Sequence, residues 1–94
     1  MSSINLDNQL QELTQIHNQT LLVLEAAVLD TATRAEYRRQ IAQYESMYQS
    51  LEEMKSLSKE EKTISSLVEK QSDLLQQRIA FEKYCHELWT TQLP

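Results

Sequence analysis

Three side chains hold the best claim to chemistry in this sequence: His17, Cys85 and His86. Cys85 and His86 are consecutive. On a helix, consecutive side chains point about 100° apart, so this pair cannot close a tight two-ligand zinc site. A thiol–imidazole nucleophile would also need backbone N–H donors for an oxyanion, usually supplied by a glycine-rich loop. The chain has no glycine at all. The same absence rules out a glycine-rich phosphate loop, and a single cysteine rules out a paired-cysteine motif. The reading is therefore a protein without enzymatic activity, with no catalytic, metal-ligating or cofactor-binding residues and no cofactor. His17 falls on an apolar stripe. It is expected to be a seam histidine satisfied by its neighbours, which could make packing sensitive to pH.

The elements that would position these residues are helical. Zero glycine and one proline, at the last position, leave almost no turn chemistry. No stretch alternates apolar and polar residues as a strand would. The expected fold is all-α: a three-helix antiparallel bundle or a helical hairpin with a long C-terminal helix, packed in coiled-coil fashion. Ninety-four residues make one domain, 1–94.

The first helix is predicted over about residues 6–30, capped by Asn5 or Asp7, with residues 1–5 outside it. Leu6, Leu10, Leu13, His17, Thr20 or Leu21, Leu24 and Val28 follow four-and-three spacing. From Leu21 to Leu29 the chain is apolar nearly all round, so two faces can pack internally and a third needs a partner. Thr33 and Glu36 form a capping-box pattern for a second helix over about 34–55, with Asp30 as the alternative cap and a continuous helix as the other outcome. Tyr37, Ile41, Tyr44, Tyr48 and Leu51 make its stripe, which reads as core or as a recognition surface. Arg34, Arg38 and Arg39 cluster near its start and are expected to dock against the acidic first helix, an acidic partner being the alternative.

Ser58 with Glu61 is a second capping-box pattern, opening a third helix over about 58–92. Leu67, Leu74, Phe81 and Leu88 fall seven apart. The companion line, Ile64, Gln71, Arg78, Cys85 and Gln92, is mostly polar, a device that fixes register at some cost in stability. At 1.5 Å per residue the third helix would be roughly 50 Å long and the second roughly 33 Å. The third should then overhang the first turn. Leu21, Leu22, Leu24 and Val28 of the first helix and Phe81, Tyr84, Leu88 and Trp89 of the third are predicted to form an uncovered apolar patch there that binds a partner.

Charge narrows the partner. The net charge is −5, and residues 1–30 carry Asp7, Glu12, Glu25 and Asp30 with no Lys or Arg. Neutralising phosphates needs a basic face, so nucleic acid is not expected as a ligand. A lone cysteine fits a reducing compartment. Met1-Ser2-Ser3-Ile4-Asn5 lacks the basic start and apolar run of a secretory leader. The Leu21–Leu29 run contains Glu25 and is too short to span a bilayer. The expected setting is cytoplasmic, with no membrane span and a protein partner, a homodimer being one form that such a partnership could take.

Thr33-x-x-Glu36-Tyr37 opens a helix whose face ends at Leu51-Glu52. Ser58-Lys59-Glu60-Glu61 and the run Leu67–Leu75 follow. In this outline the chain resembles the small all-α export chaperones and co-chaperones of the type III and flagellar secretion class. The resemblance implies a short, acidic, glycine-poor helical protein whose exposed apolar face shields a secreted subunit. A small chaperone or adaptor that covers an apolar helix of its partner is thus the leading function. A structural coiled-coil subunit of a larger assembly, or a regulator that sequesters another protein, fits the same outline.

Overall fold

A computed structural model describes residues 4–94. Among them are three helices and no strand: α1 (Leu6–Ala26), α2 (Thr31–Leu57) and α3 (Glu61–Thr90). The fold is an all-α three-helix bundle with α3 between the other two. Gln9 meets Ser72, His17 meets Glu82 and Val28 meets Gln92, so α1 and α3 run parallel. Glu52 meets Gln71 and Glu45 meets Arg78, so α2 runs antiparallel to α3.

α1 starts where the Asn5 side chain accepts from the Asn8 N–H, at 3.1 Å. Ser2 and Ser3 of the expected leading segment lie outside the described residues; Ile4 and Asn5 precede the helix. The helix ends at Ala26, four residues earlier than its apolar pattern suggests, because Ala27 turns to extended backbone. Two contacts hold this glycine-free turn. The Arg34 guanidinium donates to the Leu24 carbonyl and, at 2.9 Å, to the Ala27 carbonyl. It satisfies acceptors that a helix C-terminus leaves free and puts positive charge at the negative end of the dipole. The Val28 N–H donates to the Gln92 carbonyl at 2.9 Å, tying the turn to the end of α3. Arg34 thus docks α1 through its carbonyls rather than its carboxylates, while Arg39 pairs with Glu36 on its own helix at 2.5 Å.

Asp30, not Thr33, caps α2: its carboxylate accepts the Thr33 N–H at 2.7 Å, which holds it below the usual carboxylate range. Moving the cap forward three residues lengthens α2 at its start. The Ser58–Glu61 box does not form. Ser58 ends α2 instead, its hydroxyl lies 3.3 Å from the Glu60 N–H, and α3 begins after Glu60 without a side-chain cap.

These shifts overturn the expected overhang. α2 has 27 residues and α3 has 30. At 1.5 Å per residue the two are about 40 Å and 45 Å long, nearly matched. The short member is α1, with 21 residues. Since Gln9 already sits beside Ser72, the first turns of α3 and the last turns of α2 project past α1 as a two-helix hairpin. The overhang exists at the end opposite to the one expected.

The core has two centres. One joins Val23, Leu24 and Ala27 of α1 to Tyr37 and Ile41 of α2 and to Cys85 and Trp89 of α3. The other joins Leu13 and Ile16 to Leu75 and Ile79. Beside the second centre lies a cleft of about 180 Å³, lined by Leu10, Leu13, Tyr44, Tyr48, Leu75 and Arg78 among others. No helix of the described residues is long and apolar enough to cross a membrane.

Candidate functional site

The α2–α3 pair carries a long shallow groove. Two cavities, of about 530 and 420 Å³, lie along it, and only residues of α2 and α3 line them. Met47, Leu51 and Leu74 mark the end near the α2–α3 turn; Phe81, Leu88 and the edge of Trp89 mark the other. Met47 is 47% exposed and Leu88 48%. The stripe follows from spacing: Gln40, Met47 and Leu51 on α2, and Leu74, Phe81 and Leu88 on α3, recur at helical periods and so share a face.

The predicted patch residues divide into three groups. Leu24 (1% exposed) and Trp89 (4% exposed) are core, which corrects their assignment as partner contacts. The reason is that α2 packs over this end: Tyr37 shares one core centre with both, its ring 5.2 Å from that of Trp89 edge-on and 6.0 Å from that of Phe81 in a stack. Leu21 and Phe81 are half-buried against the same centre. Leu22, Val28, Tyr84 and Leu88 are exposed. Of these eight residues only Phe81, Leu88 and Trp89 line the groove, so the structure does not gather them into one patch.

Helix geometry explains the split on α3. A straight α-helix drifts about 20° per heptad against a 3.5-residue repeat. The line Leu67, Leu74, Phe81, Leu88 therefore walks out of the core. Leu67 and Leu74 are buried, Phe81 is half-buried and Leu88 is exposed. The line that stays inside is Gln71, Leu75, Arg78, Glu82, Cys85 and Trp89, with four-and-three spacing.

Half of that inner line is polar, and it builds two networks, each around one buried side chain. At the hairpin end Gln71 is wholly buried. Its amide nitrogen donates to Glu52 at 2.7 Å and its oxygen accepts from Lys55 at 3.1 Å. Glu52 and Lys55 pair with each other at 3.1 Å. These donors hold the Glu52 carboxyl below its ordinary range.

At the other end Glu82 is 0% exposed. Its Oε1 accepts from the Tyr37 hydroxyl at 2.7 Å and from His17 Nδ1 at 2.8 Å, with Arg78 Nε 4.0 Å away. All three helices meet at this one oxygen. Oε2 is buried without a protein hydrogen-bond partner. Arg78 also reaches Glu45 at 3.5 Å. Thr20, wholly buried, places its hydroxyl 2.7 Å from the Ile16 carbonyl and 3.2 Å from that of Glu82. Burial and the bond to Glu82 push the Tyr37 hydroxyl above the ordinary tyrosine range. Burial, with the charge of Glu82, pushes the Cys85 thiol up to about 11, so it is a poor nucleophile at neutral pH.

A carboxylate that orients an imidazole is half of a general-base arrangement. Here the third member is Tyr37, and it donates to the carboxylate instead of facing the imidazole's free nitrogen. Arg78 also lines the α1–α2 cleft, and Tyr37 lines the end of the groove near Trp89. The arrangement binds three helices together at Glu82. His17 is the satisfied seam histidine of the sequence reading, and its partner is Glu82. No group of three or more His, Cys, Asp or Glu among the described residues is placed to hold a metal ion.

Comparison with protein-family models, with curated proteins and with solved structures finds no match.

Proposed function

We propose that this chain is a non-enzymatic helical protein-binding module whose α2–α3 groove takes an amphipathic helix of a protein partner. The carrying observation is the surface that the fold leaves open. The chain exposes 6631 Å². A compact monomer of 11.0 kDa would expose about 5600 Å². The radius of gyration is 15.6 Å, against about 12 Å for a compact 94-residue domain. An elongated plank with an apolar groove along it is suited to helix-in-groove recognition, with anchors at four-and-three spacing on the incoming helix.

Shielding an apolar helix of a client is the most concrete version of this reading, and the resemblance to export chaperones supports it. The acidic first third of the chain adds a field that would steer a basic client toward the molecule. A permanent place in a larger helical assembly is the second reading. The projecting α2–α3 hairpin favours it, since that end exposes Met54 and Leu57 without α1 beside them.

The test uses a fluorescent amphipathic peptide with leucines at four-and-three spacing. Wild-type protein should raise its anisotropy. Leu88→Glu should weaken binding about ten-fold or more, and Leu22→Glu, on an exposed face of α1, should not. Failure of the wild type to bind, or equal loss in both variants, refutes the groove as the site.

A further inference from the structure

α1 is fastened in two unlike ways along its length. Its last half is tied to both other helices. Val23, Leu24 and Ala27 share one core centre with Tyr37 of α2 and with Cys85 and Trp89 of α3. Arg34 holds the Leu24 and Ala27 carbonyls, and Gln92 holds the Val28 N–H. Thr20, wholly buried, bonds the Glu82 carbonyl. The first half rests mainly on α3. Leu13 and Ile16 bury against Leu75 and Ile79, with Tyr48 as the α2 side chain beside them. Toward α2 this half borders the cleft, which Leu10 and Leu13 line. Its polar contacts are weaker. The Gln9 amide nitrogen donates to the Ser72 hydroxyl at 2.9 Å, but Gln9 Oε1 is buried without a protein hydrogen-bond partner, which favours exposing it to water. Glu12 pairs with Lys83 at 3.1 Å between side chains that are both more than half exposed, and such a pair adds little.

We propose that residues 6–16 of α1 form a strap on α3 that opens as one unit while the rest of the bundle stays folded. The proposal does not depend on what the α2–α3 groove binds. The boundary of the strap is the point where His17 and Thr20 meet Glu82, since from there on α1 is held by buried hydrogen bonds and by both other helices. Cooperative units of this kind open below the free energy of global unfolding when their apolar contacts are few and their polar contacts are open to water. Opening has a definite structural result. It bares Ser72, Leu75 and Ile79, which are buried in the closed bundle. Leu75 belongs both to that face and to the cleft lined by Tyr44 and Tyr48, so the two become one continuous surface. The α2–α3 hairpin, which already projects past the start of α1, is then bare as far as Glu82. In the closed bundle the strap covers this surface with a helix of the same chain.

Native-state hydrogen exchange of the full chain, read amide by amide by NMR, tests the strap. Amides of residues 10–16 should share one opening equilibrium and exchange about ten-fold or more faster than those of residues 21–26. Their exchange should also respond less to urea, because less surface is exposed when only the strap opens. Leu13→Ala should speed exchange across residues 10–16 together and leave residues 21–26 unchanged. A second readout uses the native thiol as its control. Ser72→Cys places a thiol beneath Gln9, and it should react with a thiol reagent about ten-fold or more faster than Cys85, which is buried in the other core centre. Equal protection in the two halves of α1 overturns the proposal. So does protection that declines residue by residue toward Asn5, which is fraying of a helix end and not a unit. Leu13→Ala loosening both halves alike, or an introduced thiol that reacts no faster than Cys85, overturns it as well.

Discussion

Removing one hydroxyl, in Tyr37→Phe, tests whether the buried cluster holds the bundle together. The ring keeps its contacts with Phe81 and Trp89, so packing is little changed. What is lost is the 2.7 Å hydrogen bond to Glu82 Oε1. Glu82 is wholly buried and its Oε2 already lacks a protein donor. The carboxyl would then rely on His17, which is partly open to solvent, and on Arg78 at 4.0 Å. Hydrogen bonds to charged groups contribute about 1.5–3 kcal/mol, and a buried acceptor stripped of its donor costs a similar amount. At about 2.1 cal/mol/K per residue, a chain of 94 residues has an unfolding entropy near 200 cal/mol/K, so each kcal/mol shifts Tm by about 5 °C. Tyr37→Phe should therefore lower Tm by about 8–15 °C in circular dichroism melts. The double variant Tyr37→Phe/Glu82→Gln should lose less than the two singles added together, because both act on one bond. A loss below about 0.5 kcal/mol, or strict additivity, would show that the cluster does not couple the three helices.

Two further outcomes follow from burial. In the unfolded chain Cys85 ionises near its ordinary value of 9.0, whereas the folded chain holds the proton up to about 11. Because the folded value is the higher one, its contribution is complete below pH 9 and is lost as pH rises toward 11, by up to about 2–3 kcal/mol. Chemical denaturation across that window should be steeper in pH for wild type than for Cys85→Ala, and equal slopes would refute the assignment. Leu24→Ala should cost about 2–5 kcal/mol by urea denaturation, since it empties a fully buried site, while Leu22→Ala, two residues away and exposed, should stay within about 0.5 kcal/mol. Equal losses at the two positions would contradict the placement of α1.

The three helices are legible from four-and-three spacing and from the absence of glycine. Their ends are less so. Ser58-Lys59-Glu60-Glu61 has the residues of a capping box, but pattern alone cannot tell which of two adjacent helices a serine serves, and here it closes α2. Asp30 and Thr33 are both eligible caps, and Asp30 starts α2 at Thr31. The misplaced overhang follows from that shift together with the run of α2 on to Leu57 and the shorter span of α3, Glu61–Thr90. Glu82 gave no signal under a hydropathy reading, because a glutamate on a helix is normally solvated. It can be found only by extending the 3.6-residue line from Gln71 through Leu75 and Arg78 and accepting polar residues on it. Once Glu82 is inside, a donor from each neighbouring helix is required, and His17 and Tyr37 are stripe residues able to supply one.

The two networks and the open groove are connected by the same geometry. An apolar seam of leucines tolerates sliding of one helix past another by a turn, because each position offers similar burial. Gln71 and Glu82 do not tolerate it. A one-turn slip of α2 would remove Glu52 and Lys55 from Gln71 and Tyr37 from Glu82 together, leaving two buried polar groups unsatisfied at about 1–3 kcal/mol or more each. The pair of networks, about 16 Å apart along α3 by helical rise, thus fixes α2 on α3 at two points. Between and beside those points run Met47, Leu51, Leu74 and Phe81. Their relative positions are set by the polar contacts behind them, not by whatever covers them. A partner helix would then meet anchors already in register and would not bear the entropy of ordering them. Gln71→Ala should therefore weaken groove binding even though Gln71 is wholly buried.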